Sequence, residues 1–209
     1  PGSMRVLMDS ATFRLTLVPH TNGTDYWAIT HQDSNDLFAA FRLSANGVDS
    51  LPVISHTGIF LPIEPDEWSS AGKAGPLIAS YDGTQLAMLI QYTEAPPDFP
   101  MAAELYHFDA STGSVQHTVT LPQHTLSFQA GVEFSPDGTK LYVLHGTYED
   151  STQVNRLWQY DVSSLDSAII AQTGTVIAAG PCAGHTGSYG SAITIASAPN
   201  GRIYVVWGR

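Results

Sequence analysis

Short stretches of alternating hydrophobic and polar residues run through this chain in pairs, and each pair is joined by a turn that contains glycine. The plainest pair lies at residues 132–144, where Phe134 and Leu141 flank the sequence Ser-Pro-Asp-Gly-Thr-Lys. Asp-Gly suits a tight turn because glycine adopts positive φ freely and aspartate tolerates it. The flanking stretches are rich in β-branched and aromatic residues and are apolar on both faces, as in strands buried between two sheets. The pattern predicts a hairpin of strands 132–135 and 140–144.

The same hairpin recurs three more times along the chain. Close copies lie at residues 79–88 and 198–206, and a looser copy lies at 21–30. The turn glycines are 60, 55 and 63 residues apart, at Gly23, Gly83, Gly138 and Gly201. This period fits one four-stranded blade of a β-propeller, roughly 40–50 residues, with enlarged loops. The predicted fold class is all-β, an incomplete β-propeller of about three and a half four-stranded blades.

Four strands, A to D, are predicted in each of the first three units. Their ranges are 15–19, 25–30, 37–43 and 48–54, then 77–80, 85–90, 104–109 and 115–121, then 132–135, 140–144, 156–161 and 168–176. Pro1-Gly2-Ser3 is typical of a remnant of an expression vector, so residues 4–209 form one predicted domain. Its blades span about 13–55, 75–122 and 130–178, and the first half of a fourth blade spans 191–209. Because such a ring does not close, we expect the chain to be a piece of a longer protein, or its open sheet edges to be covered by another chain.

Composition argues against several classes of partner. The net charge is −11 with only eight Lys and Arg, so the basic surface that nucleic-acid binding needs is missing. Anionic membranes are disfavoured for the same reason, and no apolar run reaches the ~18 residues of a membrane span, which argues against membrane insertion. The single cysteine, Cys182, can form neither an internal disulfide nor a cysteine metal cluster.

Several phrases of the sequence together resemble one family. Residues 14–31 contain Leu-Thr-Leu-Val-Pro-His-Thr-Asn-Gly-Thr-Asp-Tyr-Trp, and residues 131–143 read Gly-Val-Glu-Phe-Ser-Pro-Asp-Gly-Thr-Lys-Leu-Tyr-Val. Residues 157–161 and 201–205 follow in the order of the family. The phrases resemble the large secreted β-propeller surface proteins of Bacteroidetes, with WD40-like repeats, which often carry sorting domains and gliding-motility labels. The resemblance covers about residues 13–207 and implies an extracellular or cell-surface location and blades that precede this segment. That family has no established catalytic residues to transfer.

The loops after strands B and D are expected to share one face of the blades, where ligands usually bind in such folds. The candidate binding residues in those loops are His31, Asp33, Asp36, Tyr92, Glu94, His145, Tyr148, Glu149 and Asp150, with Trp68 in the inter-blade loop. Two histidines with nearby carboxylates could bind a divalent metal. The alternative, polar strand ends that face water, is favoured because the spacing matches no compact metal motif.

Two of these loops have further interpretations. Residues 33–36 resemble half of a calcium loop but lack the central glycine and the distal glutamate of an EF-hand. Trp68, with the apolar residues 59–63, could form an aromatic patch for a sugar or a peptide, or it could pack beneath a neighbouring blade. We therefore predict no catalytic residue and no cofactor, with calcium or another divalent metal as the alternative.

Three functions are open from the sequence. The leading hypothesis is a non-catalytic binding or scaffolding segment of a larger secreted or cell-surface protein, whose loops bind a protein or a glycan. The second is a propeller enzyme, a metal-assisted hydrolase such as a lactonase or a glycan-cleaving enzyme, in which His31, His145 and loop acids converge on a metal. In the third, two copies pair their open sheet edges and close a ring of about eight blades.

Overall fold

The chain folds into antiparallel β-sheets that stack side by side. The computed structural model describes residues 6–60, 75–90, 102–121, 130–149, 152–181, 194–198 and 200–206. Blade 1 contains β1 (Ala11–Pro19), β2 (Tyr26–Gln32), β3 (Leu37–Ser44), β4 (Gly47–Val48) and β5 (Val53–His56). Blade 2 contains β6 (Leu77–Ala79), β7 (Gln85–Ile90), β8 (Ala102–Asp109) and β9 (Ser114–Thr120). Blade 3 contains β10 (Ala130–Phe134), β11 (Lys140–Glu149), β12 (Thr152–Asp161) and β13 (Thr175–Pro181), and blade 4 contains β14 (Thr194–Ser197) and β15 (Ile203–Val206).

Each blade is a meander in which strands pair with their neighbours in chain order. In blade 1 both β4 and β5 pair with β3, so the outer edge of this sheet is divided between two short strands. The first strands of successive blades lie next to one another, β1 against β6, β6 against β10, and β10 against β14. In the described part of the chain the sheets do not close on one another. The fold is therefore an all-β, incomplete propeller, as the sequence predicts.

The repeated Ser-x-Asp-Gly-Thr phrase has one hydrogen-bond pattern in blades 2 and 3. Ser80 Oγ donates to Asp82 Oδ1 (2.6 Å) and accepts the backbone N–H of Gln85 (3.0 Å). Ser135 Oγ does the same with Asp137 and Lys140, at 2.5 and 2.9 Å. The serine hydroxyl thus closes the turn from inside, and it holds the pKa of the Asp137 carboxyl below its usual value. This shared chemistry explains why the phrase recurs in the sequence.

Alternate residues of each strand pack against different neighbouring blades. The core between blades 1 and 2 includes Val18, Trp27, Ile29, Phe38, Leu86, Met88, Tyr106 and Phe108. The core between blades 2 and 3 includes Leu89, Leu105, Val132, Phe134, Leu141 and Val143, and a smaller cluster of Leu144, Leu157 and Ile195 joins blades 3 and 4. Both faces of the middle blades are buried, which agrees with the apolar character of both faces in the sequence.

Two predicted outer strands differ from the structure. The strand predicted at 168–176 is instead the helix α1 (Ser167–Gln172), followed by β13 from Thr175. Asp166 caps α1 by accepting the backbone N–H groups of residues 168 and 169, and Ile170 on the inner side of its single turn is fully buried. A short apolar run such as Ala-Ile-Ile-Ala has no periodicity that separates a helical turn from a strand. Within the described residues, α1 is the longest helix, and none is long and apolar enough to cross a lipid bilayer.

The strand predicted at 48–54 is interrupted. β4 ends at residue 48 and β5 begins at residue 53, directly after Pro52. Proline lacks the N–H that would continue the ladder, so the pairing of the outer edge stops and restarts around it.

Gly113 allows the close contact that joins blades 1 and 2 at their turns. Its φ is +81°, and a Cβ there would lie 2.7 Å from the indole ring of Trp27. The same indole donates from Nε1 to the backbone oxygen of Ala110 in the neighbouring blade (2.9 Å). Replacing Gly113 by alanine therefore adds a clash to a strained backbone angle.

We expect Gly113→Ala to lower the free energy of unfolding by about 2 kcal/mol, measured by urea denaturation. Gly23→Ala is the matched control, since Gly23 also has a positive φ (+75°) but no heavy atom within 4 Å of its added Cβ. The control carries only the backbone strain, about 1 kcal/mol. Equal losses in the two variants would show that the indole moves aside without cost.

Candidate functional site at the loop face

The two ends of the blades differ in what they carry. We call the end with the four glycine turns the turn face, and the opposite end the loop face. At the loop face, residues 33–36 join β2 to β3, and the chain leaves β5 through residues 57–60. The sequence-predicted residues His31, Asp33 and Asp36 lie at this end.

His31 is a fully buried residue near the end of β2. Its ring packs edge-on against Phe38, with centroids 4.7 Å apart at 90°. Neither ring nitrogen forms a hydrogen bond with a residue that the structure describes. Burial, and after it the guanidinium of Arg14, lowers the pKa of His31 to about 4, against the opposing effect of the Gln32 backbone and the acidic side chains of the following loop. His31 is therefore neutral, and the interpretation as a strand end facing water is wrong for this residue.

The loop that follows His31 uses its polar groups to close the hairpin. Asp36 Oδ1 lies 2.8 Å from His56 Nδ1 across the sheet, and this contact lowers the pKa of Asp36. The side chain of Asn35 accepts the backbone N–H of Leu37 (2.7 Å), and the backbone N–H of Asp33 donates to Ser10 (2.7 Å). These hydrogen bonds close the turn at residues 33–36, the segment that resembles half of a calcium loop.

A buried carboxylate at the same end was not predicted from the sequence. Glu104 in β8 is fully buried, and its Oε2 accepts hydrogen bonds from the hydroxyl of Tyr106 and from the backbone N–H of Ile59, the latter at 3.1 Å. Its Oε1 accepts the hydroxyl of Thr120 (2.9 Å) and lies 3.2 Å from Nε2 of His117. We call these five residues the Glu104 network. It ties the chain leaving blade 1 to the sheet of blade 2.

The surroundings of the Glu104 network keep the Tyr106 phenol protonated and leave room for its contact with Glu104. Burial and the neighbouring Glu104 carboxylate raise the pKa of the Tyr106 phenol well above its usual value, so the phenol stays protonated and donates. Gly58 makes room for this contact, because a Cβ there would lie 2.5 Å from the phenol oxygen. Charged hydrogen bonds of this kind are about twice as strong as neutral ones.

Arg14 is a second buried charge between blades 1 and 2. It is 1% exposed on β1, and its Nη2 donates to the backbone oxygen of Leu89 in blade 2 (3.0 Å). Its positive charge helps to lower the pKa of His31, and it partly opposes the rise of the Tyr106 pKa. The described loop-face end of this interface therefore holds a buried cation beside a neutral imidazole.

The turn face carries an open groove that was also not predicted. It has a volume of about 420 Å³ and is lined by residues that include Asn22, Thr24, Asp25, Arg42, Ser44 and Asp49. Arg42 donates from Nε and Nη2 to Asp25 Oδ2, at 2.8 and 2.6 Å, and lowers the pKa of that carboxyl. The groove is in the size range of small-molecule sites, and two of its three charged lining residues, Asp25 and Arg42, are paired with each other.

The structure describes the other predicted site residues only in part or not at all. Tyr92, Glu94, Asp150 and Trp68 lie outside the described residues. For His145, Tyr148 and Glu149 the structure describes the backbone, and it corrects the prediction of a loop there, since β11 continues to Glu149 and pairs with β12 from Thr152. Strand-forming residues such as Thr147 and Tyr148 extend the hairpin beyond the predicted end at residue 144.

The burial of Glu104 and Arg14 could have been predicted from their positions along the strands. Glu104 is in phase with Tyr106 and Phe108 along a strand of apolar residues, and Arg14 is in phase with Val18 on β1. A charged residue at an inward position of a strand marks a buried, paired group. Among the residues that the structure describes, no group of three or more His, Cys, Asp or Glu is placed to hold a metal ion.

Comparison with known proteins supports the fold but does not assign the chain to a family. No family model matches the chain, and no curated protein matches it. The hydrazine synthase of Kuenenia stuttgartiensis is similar in structure, with a TM-score of 0.50 and 15% identity over 90% of this chain and 48% of that chain. A Bacteroides fragilis protein provisionally classified as a 6-phosphogluconolactonase has a TM-score of 0.41 and 14% identity over 77% of this chain and 36% of that one. The chain thus spans less than half the length of either protein, and at these identities the likeness concerns the fold alone.

Proposed function

We propose that the chain is a non-catalytic binding and scaffolding segment of a larger secreted or cell-surface protein, of the kind found among the large β-propeller surface proteins of Bacteroidetes. The observation that carries the proposal is that the charged groups named at the loop face bond to other groups of the protein. Glu104 and Arg14 join blade 1 to blade 2, and Asp36 pairs with His56. The contacts of Glu104 and Arg14 hold blade 1 against blade 2, and the pair of Asp36 and His56 closes the loop-face edge of blade 1.

The burial of His31 favours this proposal over the metal-dependent enzyme. A divalent cation at His31 would lie beside the guanidinium of Arg14 in a water-poor interior, where like charges repel strongly. Asp36, a carboxylate of the loop that follows His31, is already engaged by His56. A lactonase or glycan-cleaving site would therefore need ligands other than the His31 region.

The expected partner is a protein or glycan without strong negative charge. The chain has a net charge of −11, so anionic partners are repelled while basic or neutral hydroxyl-rich surfaces are tolerated. The rim of the loop face offers the partly exposed Asp36 and His56 to such a partner.

The test measures binding of the purified chain to arrays of surface glycans and basic peptides, followed by biolayer interferometry on each hit. We expect Asp36→Asn at the loop face to weaken the hit by about 10-fold. Asp49→Asn is the matched control, because it removes the same charge from the turn-face groove. If only the Asp49→Asn variant lost binding, the partner would bind at the turn-face groove and not at the loop face. Metal-dependent hydrolysis of a lactone or glycoside that is abolished by His145→Ala would overturn the proposal in favour of the enzyme.

A further inference from the structure

The sequence contains three Asn-Gly dipeptides, and all three lie in tight turns. They are residues 22–23, 46–47 and 200–201, and their glycines have φ angles of +75°, +109° and +74°. At Asn-Gly the backbone nitrogen of glycine reaches the asparagine side chain easily, because glycine has no Cβ to hinder the approach. In none of the three turns would a Cβ on the glycine meet a heavy atom within 4 Å. Differences in reactivity must therefore come from the surroundings of the asparagines.

Two of the three asparagine side chains are held by hydrogen bonds at both of their polar atoms. Asn22 Oδ1 accepts the backbone N–H of Asp25 (3.0 Å), and Nδ2 donates to the carboxylate of the same residue (2.9 Å). Asn200 Oδ1 accepts the backbone N–H of Arg202 (3.0 Å), and Nδ2 donates to the hydroxyl of Tyr204 (3.2 Å). In both turns the glycine N–H also donates to a backbone oxygen of the turn, at 3.0 and 2.9 Å. These bonds fix each carboxamide in one orientation.

The third asparagine, Asn46, has a different environment. Its side chain is exposed and forms no hydrogen bond with a residue that the structure describes, while its backbone N–H donates to Ser44 Oγ (3.2 Å). The strand that follows, β4, consists only of Gly47 and Val48, both exposed, and it pairs with β3 at two positions. So short a hairpin opens at little cost in free energy, which releases the glycine N–H. Asn46 thus combines a free carboxamide with a weakly held neighbour.

We propose that Asn46 is a site of spontaneous deamidation. The Gly47 nitrogen loses its proton to solvent and attacks Cγ of Asn46. The bond from Cγ to the side-chain nitrogen breaks, and that nitrogen takes up a proton and leaves as ammonia, so that a cyclic succinimide forms. Water then opens the ring at either carbonyl and gives aspartate or isoaspartate. The reaction consumes one water in total and needs no oxidant, reductant or enzyme.

The modification changes the turn-face groove, because Asn46 is one of its lining residues. Both products place a carboxylate there, beside the unpaired Asp49 and the pair of Asp25 and Arg42, so the groove gains a negative charge and attracts cationic groups more strongly. Isoaspartate also lengthens the backbone before Gly47 by one methylene, which disrupts the pairing of β4 with β3. The reaction does not depend on the partner proposed for the loop face.

The test follows the three sites by peptide mass spectrometry while the folded chain is incubated at mildly alkaline pH. We expect Asn46 to deamidate about 10-fold faster than Asn22 and Asn200, whose carboxamides must first break two hydrogen bonds. In concentrated urea, where the turns are lost, the three rates should converge. Equal rates in the folded protein overturn the proposal. So does a difference that persists unchanged in urea, because the local sequence and not the fold would then set the rates.

Two variants test the cause and the site. Tyr204→Phe removes the hydroxyl that accepts from Asn200, so it should speed deamidation of Asn200 about 3-fold and leave Asn46 unchanged. Asn46→Gln keeps the amide but would have to form a larger ring, so the acidic species that accumulates in the wild type on ion-exchange chromatography should nearly disappear. Accumulation at the wild-type rate in Asn46→Gln contradicts the proposal. Circular dichroism confirms folding, and if Tyr204→Phe does not fold, the wild-type rates still decide.

Discussion

Replacing Glu104 by alanine is expected to lower the free energy of unfolding by about 3 kcal/mol. Glu104 is fully buried and accepts hydrogen bonds from Tyr106, Thr120 and the backbone of Ile59. Alanine leaves the phenol and the backbone N–H without an acceptor in an interior that excludes water, and it also leaves a cavity. Urea denaturation followed by tryptophan fluorescence measures the loss.

Two matched variants separate the carboxylate from its volume. Glu104→Gln keeps the shape and one acceptor oxygen but removes the charge, so we expect an intermediate loss of about 2 kcal/mol. Tyr106→Phe removes one donor and leaves the other bonds of Glu104 in place, at a cost of about 1 kcal/mol. If Glu104→Ala cost no more than Tyr106→Phe, the carboxylate would not be what joins the two blades.

The same variant should have a local signature at the connection between blades. The backbone N–H of Ile59 donates to Glu104 from the segment that leaves blade 1. Hydrogen exchange at this amide should accelerate in Glu104→Ala more than exchange at the amide of Leu86, which lies in the centre of blade 2. Uniform acceleration across both sites would indicate global destabilisation without a special role at the connection.

The parts of the fold that rest on turn chemistry could be predicted from the sequence. The Asp-Gly turn of blade 2 fixes the strands on both sides of it, and the predicted strand 85–90 agrees with β7 at both ends. The helix α1 could not be predicted in this way. Its apolar residues suit either a strand or a helical turn, and the decisive group is Asp166, whose side chain caps the helix.

The position of His31 could be predicted from the sequence, but its environment was not. His31 does lie at the loop-face end of β2, yet it is in phase with Trp27 and Ile29, which face blade 2, and so it is buried. That phase is present in the sequence. The partners of Glu104 are not, because Ile59 lies 45 residues away on another blade. Only the packing of one blade on the next brings those groups together.

Acidification from pH 6.5 toward pH 4 should destabilise the protein through the protonation of His31. The pKa of His31 is about 4 in the folded state and 6.5 in its unperturbed state, so the unfolded chain binds the proton more readily between these values. Stability is therefore fully present above pH 6.5 and falls as the pH drops toward 4. The loss approaches roughly 3 kcal/mol, since each unit of pKa shift corresponds to about 1.4 kcal/mol.

The groups that face His31 do not reverse this sign. Arg14 stays charged throughout and opposes protonation, while Asp33 and Asp36 on the following loop favour it and are included in the lowered value. The pKa of Asp36 itself is lowered by its contact with His56, so its own contribution is lost only below the His31 window. Both effects reduce stability in acid, but they act at different pH.

A variant without the imidazole isolates the effect. His31→Phe keeps a ring against Phe38 and cannot take up a proton, so its free energy of unfolding, measured in urea at several pH values between 6.5 and 4, should stay nearly constant. His56→Gln removes a histidine whose side chain is 63% exposed and should retain the wild-type decline. If His31→Phe declined as steeply as the wild type, the imidazole would be protonated without cost in the folded protein, and its burial beside Arg14 could not be the cause of the acid sensitivity.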